Sequence, residues 1–525
     1  MKIKTVLAYY TGVRNDAVKG RDMAKRTRIV CTLGPAVDSE STLRGLLQVG
    51  MDVACVDASA GTTEQMAARI ERVKRVRQEL DNPCAIMLDV RGPEIRTGSL
   101  AGGNPVLLRA GDHFTLTEGN QPGDVRHVSQ SCLGLAAHVK PGTRILLDGG
   151  RIELAVDETR DADILCTVQT SGTLSEGVLV NLPGTYVPLP TLTDADRASI
   201  LVALHAGVDF VTTPFVRTGD DVRRMRMFLD ANDGNAVKLV AKIETPYAVD
   251  DIDDVVSAAD AVLLSRGVLG LEMTPYDIPH VQKQVIRVCA DRCKPVIIAT
   301  QMLNSLCSHP TPTRAEVADV AGAIYDGADA LMLDDETAKG LYPVVAVQTM
   351  ARIAEASERH LAADGMPVSR FGAGPLVAPS VVSASVRTAE ATGAACIITP
   401  TTTGRTARLV SKLRPRVPIF AVAPTPEVVR STQLFWGVVP ALGNAGGDVA
   451  TIIGDAERLA LRHGVAAVGD VAVVTGGDRS TSPRLDRTFA GEQTARADAD
   501  PSAFAPTNVM YVVELADAGS DRRDA

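Results

Sequence analysis

Two short stretches of the sequence carry side chains that could bind an anion or a metal ion. In "KIE", Lys242 and Glu244 stand at the end of one apolar run, and in "LLSRGVLGLE" Arg266 and Gly267 end another. A lysine and an arginine favour an anion, whereas a carboxylate favours a cation. Val268 directly follows Gly267 in the second stretch, and its apolar side chain can bind neither an anion nor a cation. The pattern raises the question of whether a working site or a former one lies here.

Eight short apolar runs must position these residues. Amphipathic stretches lie between most of the runs, for example at 39–49, 63–80 and 314–325. Strands that alternate with helices predict an α/β fold of the (β/α)8 TIM-barrel type. The predicted strands cover 27–33, 52–57, 85–89, 208–213, 237–242, 260–265, 295–300 and 328–333.

Polar, charged or glycine-rich residues follow these runs repeatedly. The segments after the strands include "GP", "RGPEIRTG", "KIE", "SRG", "TQM" and "DDETAKG". In a barrel, all of these strand ends point to one face, and that face carries the active site. So many polar loops on one rim indicate a functional site more strongly than a packing requirement.

Two further units interrupt and follow the barrel. Between the third and fourth predicted strands, "TRILLDGG" and similar runs alternate with Gly, Pro and Asp turns, which predicts an inserted β domain that lies over the site as a lid. After the barrel, strand-like runs at 417–423, 470–476 and 508–515 predict an open α/β domain. We expect an N-terminal arm at 1–25, the barrel at 26–96 and 185–365, the lid at 97–184, and the C-terminal domain at 366–525.

The C-terminal domain carries "TTTGRT" between a predicted strand and a predicted helix. Hydroxyls, main-chain amides and a helix N-terminus at such a junction suit a phosphate group, although an ordinary polar turn with a helix cap has the same composition. A polar stretch at 480–500 predicts a mobile loop near the same end of the domain. The candidate phosphate ligands are Thr401, Thr402, Thr403, Gly404, Arg405 and Thr406.

Composition narrows the class of protein. The net charge of -9 argues against nucleic acid or an anionic membrane as the main partner, and no apolar stretch approaches the length of a membrane span. The nine cysteines are scattered without a CxxC pair, which is typical of reduced core thiols. No clean signal peptide opens the chain, so we expect a cytoplasmic protein.

The sequence resembles the pyruvate kinase family over about Arg26 to Leu515. The matching motifs are "RTRIVCTLGP", "LDVRGPEIRTG", "VNLPG", "KIE", "KPVIIATQML", "PTRAEVADVAGAIYDGADALML", "ETAKGLYP" and "GRTARLVSKLRP". The resemblance implies a barrel, an inserted lid and a C-terminal effector domain. It also implies transfer of the phosphoryl group of phosphoenolpyruvate to ADP, which gives pyruvate and ATP in the last step of glycolysis, with Mg²⁺ or Mn²⁺ and K⁺ as cofactors.

The resemblance also implies roles for individual residues. Lys242 matches the lysine that bridges the moving phosphoryl group, Arg96 matches an arginine at the nucleotide or phosphate, and Thr300 and Gly267 match the groups at the pyruvate end. Phe215 matches the aromatic wall under the substrate. Glu244 matches a Mg²⁺ ligand, while the monovalent-cation positions fall on Asp57, Ser59 and Asp89.

Several residues depart from the family pattern at the substrate. Val268 replaces the second metal-binding carboxylate, and Cys55 replaces a phosphate-binding arginine. Asp57 stands for a cation-binding asparagine and adds a negative charge there. The other changes are Ala60 for a nucleotide-side histidine, Val90 for a cation-binding threonine, Arg91 for a lysine, Pro214 for a serine, and Asp334 and Asp335 for Ser-Gly.

These departures leave two hypotheses open. The first is a divergent pyruvate kinase with weak or altered activity. The second is an inactive relative that has a regulatory or structural role in an oligomer with an active paralogue. Under either hypothesis the resemblance implies a homo- or hetero-tetramer, with a sugar phosphate as a possible effector. Lesser alternatives are a structural Lys242–Glu244 ion pair, a Schiff-base aldolase that uses Lys242, and a substitute metal ligand from Asp334 or Asp335 at a different position on the rim.

Overall fold

The computed structural model describes residues 25–364, 377–444, 449–477 and 507–516. The expected N-terminal arm, apart from Lys25, and the expected loop at 480–500 lie outside the described residues. Within them, no helix is long and apolar enough to cross a membrane. All nine cysteines are described and free, and seven of them are buried.

Eight parallel strands close into the barrel that the sequence predicts. The first pairs with the second on one side and with the last on the other, so the sheet has no open edge. The barrel strands are β1 (Arg28–Leu33), β2 (Val53–Asp57), β3 (Ala85–Asp89), β12 (Phe210–Thr213), β13 (Lys238–Ile243), β14 (Ala261–Ser265), β15 (Val296–Ala299) and β16 (Ala330–Leu333).

Side chains alternate along these strands between two packed regions. Ile29, Cys31 and Leu33 of β1 pack outward under the helices, whereas Val30 packs with the interior side chains of the other strands. Strands buried on both faces read as continuous aliphatic runs, which is why the sequence located all eight.

Helices cover the outside of the barrel. Those of the barrel region are α1 (Glu40–Val49), α2 (Thr63–Glu79), α3 (Asp194–Ala206), α4 (Gly219–Asp230), α5 (Pro246–Asp250), α6 (Ile252–Ala258), α7 (Arg266–Glu272), α8 (Ile278–Asp291), α9 (Arg314–Asp326), α10 (Asp335–Ala338) and α11 (Pro343–Asp364). Short 3-10 turns cover Pro35–Val37 and Asn304–Cys307.

Local sequence fixes several helix ends. Helix α9 begins after Thr313, whose hydroxyl accepts from Glu316 N while the Glu316 carboxylate accepts from Thr313 N, a capping box. It ends at Gly327, which has φ of 102°. One local expectation was wrong: the residues after β14 form helix α7 rather than a loop, and Val268 lies in its first turn.

The inserted β domain follows β3. Its strands are β4 (Val106–Leu108), β5 (His113–Glu118), β6 (His127–Gln130), β7 (Arg144–Leu147), β8 (Ile152–Arg160), β9 (Asp163–Thr170), β10 (Gly172–Leu174) and β11 (Val180–Asn181), with 3-10 turns at Ala101–Gly103 and Leu135–His138. They form a six-stranded sheet and a two-stranded sheet around their own apolar core. The domain contacts the barrel rim where Asn181 Nδ2 donates to Glu272 Oε1 at 3.0 Å.

The C-terminal unit is an open five-stranded sheet in the order β19-β18-β17-β20-β21. Its strands are β17 (Cys396–Pro400), β18 (Ile419–Ala423), β19 (Val438–Leu442), β20 (Val471–Gly476) and β21 (Val509–Glu514); its helices are α12 (Val377–Thr392), α13 (Arg405–Lys412), α14 (Pro426–Ser431) and α15 (Val449–Arg462), with a 3-10 turn at Thr432–Leu434. The sequence reading missed β19, which contains Pro440 and lies at the sheet edge, where a proline is tolerated.

An aspartate precedes every second barrel strand and binds the start of the strand before it. Each of the four carboxylates accepts a main-chain N–H, at 2.8 to 3.0 Å, from the neighbouring odd-numbered strand. The first amides of a strand can lack a partner in the neighbouring strand, and a buried amide needs a hydrogen-bond acceptor. The aspartate carboxylates provide that acceptor. The pairs are Asp52 with Ile29, Asp209 with Ile86, Asp260 with Leu239, and Asp329 with Val296.

Two of these carboxylates, Asp209 and Asp329, bind cations of the C-terminal unit. Asp329 accepts from Lys412 Nζ at 2.5 Å and from Arg414 at 2.9 Å, and Asp209 accepts from Arg430 Nε at 2.6 Å. All of these charges are largely buried. The C-terminal unit is therefore attached at the end of the barrel where the strands begin, opposite the strand ends that carry the candidate site.

Candidate active site

Lys242 lies at the centre of the candidate site, near the C-terminal end of β13. Its ammonium nitrogen is 3.2 Å from Asp89 Oδ1 at the end of β3 and 3.2 Å from Glu244 Oε1 just beyond β13. The Lys242 side chain is 14% exposed, so both pairs are shielded from water. The expected Lys242–Glu244 ion pair is present, but it is one half of a three-residue group.

The two carboxylates keep Lys242 charged. Burial lowers the pKa of the ammonium group, but Asp89 and Glu244 outweigh burial and hold the pKa well above its usual range. A charged lysine can neutralise a phosphoryl group. A Schiff base requires the free amine, so this geometry disfavours the aldolase alternative.

Glu244 connects Lys242 to Phe215. The buried carboxylate accepts the main-chain N–H of Phe215 at 3.1 Å through its second oxygen. Phe215 has φ of 45°, a left-handed conformation that is costly for a bulky residue. This hydrogen bond to Glu244 stabilises the turn after β12 and thereby positions the aromatic ring that the resemblance places under the substrate.

Thr300 and Gly267 meet on the neighbouring side of the mouth. The Thr300 hydroxyl accepts from Gly267 N at 2.7 Å and donates to the Ala299 carbonyl at 2.7 Å. Thr300 and Gln301 have φ of 71° and 55°, so the chain is strained directly after β15. Strained non-glycine residues cluster at functional sites when their surroundings hold them in place.

Arg266 and Asp319 hold this strained turn. Arg266 donates through its two terminal nitrogens to both Asp319 oxygens at 2.8 Å, and it also donates to the Thr300 carbonyl at 2.9 Å. A bidentate arginine–carboxylate pair fixes the plane of the guanidinium group. Arg266 therefore positions the main chain of Thr300. Asp319 lies in the motif "PTRAEVADV" but was not predicted as a site residue.

The expected monovalent-cation residues lie beside this group. Asp57 and Asp89 face each other in register, and the Ser59 hydroxyl donates to Asp57 Oδ2 at 2.9 Å. Thr212, which the sequence analysis also overlooked, donates to Asp89 Oδ1 at 2.8 Å and accepts the Val90 amide at 2.9 Å. Asp57, Ser59 and Asp89 are thus brought together, but Asp57 and Ser59 are already hydrogen-bonded to each other.

The residues present do not fit the two-carboxylate Mg²⁺ site that the resemblance implies. Glu244 supplies one carboxylate, already engaged by Lys242 and by Phe215 N. Val268 supplies no ligand. In the part of the chain that the structure describes, no group of three or more His, Cys, Asp or Glu side chains is arranged to hold a metal ion.

At the position where the resemblance implies a phosphate-binding arginine, Cys55 offers no cation. Cys55 is fully buried in the barrel interior. Burial raises the pKa of its thiol, and Asp89 and Asp334 raise it further. Cys55 is therefore an uncharged thiol in a carboxylate-rich environment, and it cannot bind a phosphate as a guanidinium group does.

Asp334, at the end of β16, places a further carboxylate at the mouth. Its own main chain is fixed by Glu336, which accepts the Asp334 amide at 2.9 Å and the Leu303 amide at 2.9 Å. Burial, followed by the charges of Asp89 and Asp335, raises the pKa of the Asp334 carboxyl to about 6. Its neighbour Asp335 is more exposed and pairs with Lys339 at 2.9 Å.

Arg96 lies away from the Lys242 group. Its guanidinium group pairs with Glu94 at 2.7 Å and donates to the Gly177 carbonyl of the β domain at 2.7 Å. None of its contacts within the described ranges joins it to Lys242, Asp89 or Glu244. It links Glu94 to Gly177 of the β domain.

The remaining altered positions have local structural roles. Ala60 accepts from Arg69 at 2.8 Å through its carbonyl, and Val90 is 1% exposed. Pro214 packs against Gly92, where a Cβ would lie 2.6 Å from the proline ring and φ is 81°. The glycine is therefore required for this close approach.

The "TTTGRT" segment forms the turn into α13. The Thr401 hydroxyl accepts from Gly404 N at 3.0 Å, and the Thr403 hydroxyl accepts from Arg405 N at 3.4 Å. Thr402 is exposed, whereas the Thr406 hydroxyl bonds that of Thr507 at 2.8 Å. The turn is internally satisfied, so its function as an effector site remains a prediction.

The chain matches two family models and many known proteins. The family model described as pyruvate kinase, barrel domain, matches residues 24–347, and the one described as pyruvate kinase, alpha/beta domain, matches 379–485. The pyruvate kinase of Clostridium acetobutylicum is 37% identical over 457 residues, which cover 86% of this chain and 96% of the relative. That of Agrobacterium vitis is 40% identical over 420 residues, covering 79% of this chain and 86% of the relative.

A solved structure agrees with these matches. The crystal structure of a pyruvate kinase from Cryptosporidium parvum superimposes with a TM-score of 0.82 at 32% identity. The similarity covers 95% of this chain and 98% of that one.

Proposed function

The chain belongs to the pyruvate kinase family, and from this premise we propose that it transfers the phosphoryl group of phosphoenolpyruvate to ADP at a strongly reduced rate. The observation that carries the proposal is the position of Lys242, which is charged and held between Asp89 and Glu244 at the mouth of the barrel. Phosphoryl transfer requires positioning and charge neutralisation more than covalent chemistry, and a fixed ammonium group provides both.

The pyruvate end of the site is also retained. Arg266 donates to the Thr300 carbonyl, and Gly267 N donates to the Thr300 hydroxyl. Glu244 accepts the Phe215 amide, and both Thr300 and Phe215 have strained main-chain angles. A site that had lost all function would not need to keep this strain. We infer that the frame for an oxo-acid product persists.

Two losses explain the reduced rate. A hydrogen bond to a charged group contributes roughly 1.5–3 kcal/mol, so the arginine missing at Cys55 weakens phosphate binding about 10-fold or more. A missing metal ligand at Val268 costs more than the roughly 10- to 100-fold typical of changes around a metal site. Together they place turnover at least about 100-fold below a median enzyme near ~10 s⁻¹.

The family uses Mg²⁺ and K⁺, and we extend the expectation for K⁺ to this chain. Asp57, Ser59 and Asp89 form an oxygen-rich group beside Lys242, and Asp57 adds a charge that favours cations. Removal of K⁺ is expected to lower whatever turnover remains. A sugar phosphate at residues 401–406 is a separate proposal, which thermal stability can test without turnover.

The second candidate function is an inactive subunit in a tetramer with an active paralogue. The simultaneous change of Cys55 and Val268 favours it, because both lie at the substrate while the fold is intact. Co-expression of the tagged chain with an active pyruvate kinase paralogue, followed by size-exclusion chromatography, tests for mixed assembly.

An assay that couples pyruvate formation to NADH oxidation separates the two candidates. Measurable turnover that depends on Lys242, with Mg²⁺, Mn²⁺ and K⁺ each varied, supports the weak enzyme. Absence of turnover above a Lys242→Met control under all these conditions supports the inactive subunit.

A further inference from the structure

We propose that Asp334, with the Thr32 hydroxyl and an oxygen of Asp89, holds a divalent cation in the space that an arginine at position 55 would occupy. The proposal deepens the phosphoryl-transfer function and rests on it for its purpose, because this cation would neutralise the phosphate in place of the lost guanidinium group. Its existence as a cation site is independent of turnover.

Strand register brings the relevant residues side by side. Cys31 of β1 pairs with Leu333 of β16, so the next residues along, Thr32 and Asp334, are neighbours. On its other side Thr32 pairs with Cys55. The turn after β16 confirms this proximity, because Thr337 donates to the Thr32 carbonyl at 2.8 Å and to the Asp334 carbonyl at 3.1 Å.

The Thr32 hydroxyl is an indication of a ligand that is independent of the strand register. Its side chain lies on the interior side of β1, two residues after the interior residue Val30, and is 5% exposed. Its hydroxyl oxygen is buried without a hydrogen-bond partner among the described residues. Buried hydroxyls are nearly always satisfied, so an unmet one facing a carboxylate-rich mouth indicates a missing partner.

Charge at the mouth favours a cation over any other occupant. Asp89 and Glu244 both bind the ammonium group of Lys242, and the Asp334 carboxylate lies near enough to Asp89 and Lys242 to interact with their charges. No hydrogen bond or ion pair to the Asp334 carboxylate is found within the described ranges. The nearby Lys339 is 72% exposed and pairs with Asp335 instead.

The donor chemistry selects a hard divalent ion. Carboxylate and hydroxyl oxygens suit Mg²⁺ or Mn²⁺, and Mg²⁺ is commonly held by one or two carboxylates with water and substrate phosphate oxygens. Such a site needs fewer than three acidic ligands, which agrees with the absence of a larger cluster in the described chain. The cation site has thus moved from the β14 side of the mouth, where Val268 stands, to the β16 side.

Binding of Mn²⁺ to the purified full-length chain tests the proposal without substrate. We would titrate Mn²⁺ and follow free ion by electron paramagnetic resonance at constant KCl, with isothermal titration calorimetry as a second readout. Asp334→Asn is expected to weaken Mn²⁺ binding roughly 10-fold or more, and Thr32→Val to weaken it less. Asp335→Asn, on the exposed neighbour, is the matched control and should bind as the parent does.

Three results would overturn the proposal. They are no Mn²⁺ binding by the parent chain, equal binding by Asp334→Asn and the parent, and loss of binding in Glu244→Gln with retention in Asp334→Asn. The last result would return the ion to the family position. Circular dichroism of each variant separates lost binding from lost folding, and since no turnover is measured, failure here leaves the phosphoryl-transfer proposal standing.

Discussion

The ammonium nitrogen of Lys242 lies 3.2 Å from Asp89 and 3.2 Å from Glu244, and so joins the ends of two barrel strands that are far apart in sequence. The resemblance implies that all three residues match the family pattern. The difference lies around it, where Cys55 and Val268 remove a cation and a carboxylate while Asp334 adds a carboxylate on another strand.

Restoring both lost groups should raise activity more than the separate restorations suggest. Val268→Asp returns a metal ligand and Cys55→Arg returns a phosphate-binding cation, and both act on one phosphoryl group, so their effects should couple. We expect kcat/KM of the double variant to exceed the product of the two single improvements. Val268→Asn, similar in shape but uncharged, is the control for the first change. Small effects that multiply strictly would show that the site is impaired for other reasons.

Breaking the buried charge group between barrel and C-terminal unit should destabilise the protein. Lys412→Met removes one of the two cations that pair with the Asp329 carboxylate, and loss of one partner of a buried pair costs about 3–5 kcal/mol. The urea midpoint should fall clearly. Arg223→Met, which breaks an exposed pair with Asp254, should change stability by less than about 1 kcal/mol. Equal effects of the two variants would contradict a structural role for the buried group.

Acid should remove the stabilisation that Asp52 provides. Burial opposes the charged form, but Lys25, Arg28 and the Ile29 amide outweigh it and hold the pKa of Asp52 below its usual value. A depressed folded-state pKa stabilises the protein above the unfolded value of about 3.9, and the contribution is lost as pH falls through the folded value. Asp52→Asn should therefore be less stable than the parent near neutral pH, and the difference should shrink below about pH 4.

The control for that experiment is Glu79→Gln, because the Arg44–Glu79 pair is exposed. Urea unfolding across pH should show almost no difference between this variant and the parent. A difference for Asp52→Asn that stays constant with pH would mean that shape, rather than charge, is responsible.

A sugar phosphate at residues 401–406 should raise thermal stability by mass action. At 100 times Kd, a ligand that binds only the folded state adds about 2.7 kcal/mol. Differential scanning fluorimetry with glucose 6-phosphate or fructose 1,6-bisphosphate should show a higher Tm, and Arg405→Ala should reduce the shift. Arg416→Ala, on an exposed residue of the same domain, should not. An unchanged Tm at millimolar ligand would remove the effector proposal.

Much of the fold is predictable because parallel barrel strands are buried on both faces and read as aliphatic runs. The β16 segment "ALML" and the β14 segment "AVLLS" are examples. Strand β19 escaped prediction because Pro440 argues against a strand unless its edge position is known. Helix α7 was read as a loop because its two glycines obscure a helical pattern.

The candidate site was predictable residue by residue but not as an arrangement. Similar family motifs identify Lys242 and Glu244, whereas no motif reveals that Thr32 and Asp334 are neighbours, since that depends on how the first strand meets the last. From the sequence, Asp334 is a possible substitute ligand at a different position on the rim. The register of β1 with β16 and the Thr32 hydroxyl, which has no hydrogen-bond partner among the described residues, indicate that a cation bound by Asp334 would take the place of an arginine at position 55.

The coupled assay tests the central claim most directly. For the parent chain at saturating phosphoenolpyruvate and ADP, with Mn²⁺ and K⁺ present, we expect turnover that disappears in Lys242→Met and stays at least about 100-fold below ~10 s⁻¹. Turnover near roughly 10 s⁻¹, or a residual rate that Lys242→Met leaves unchanged, would contradict the account.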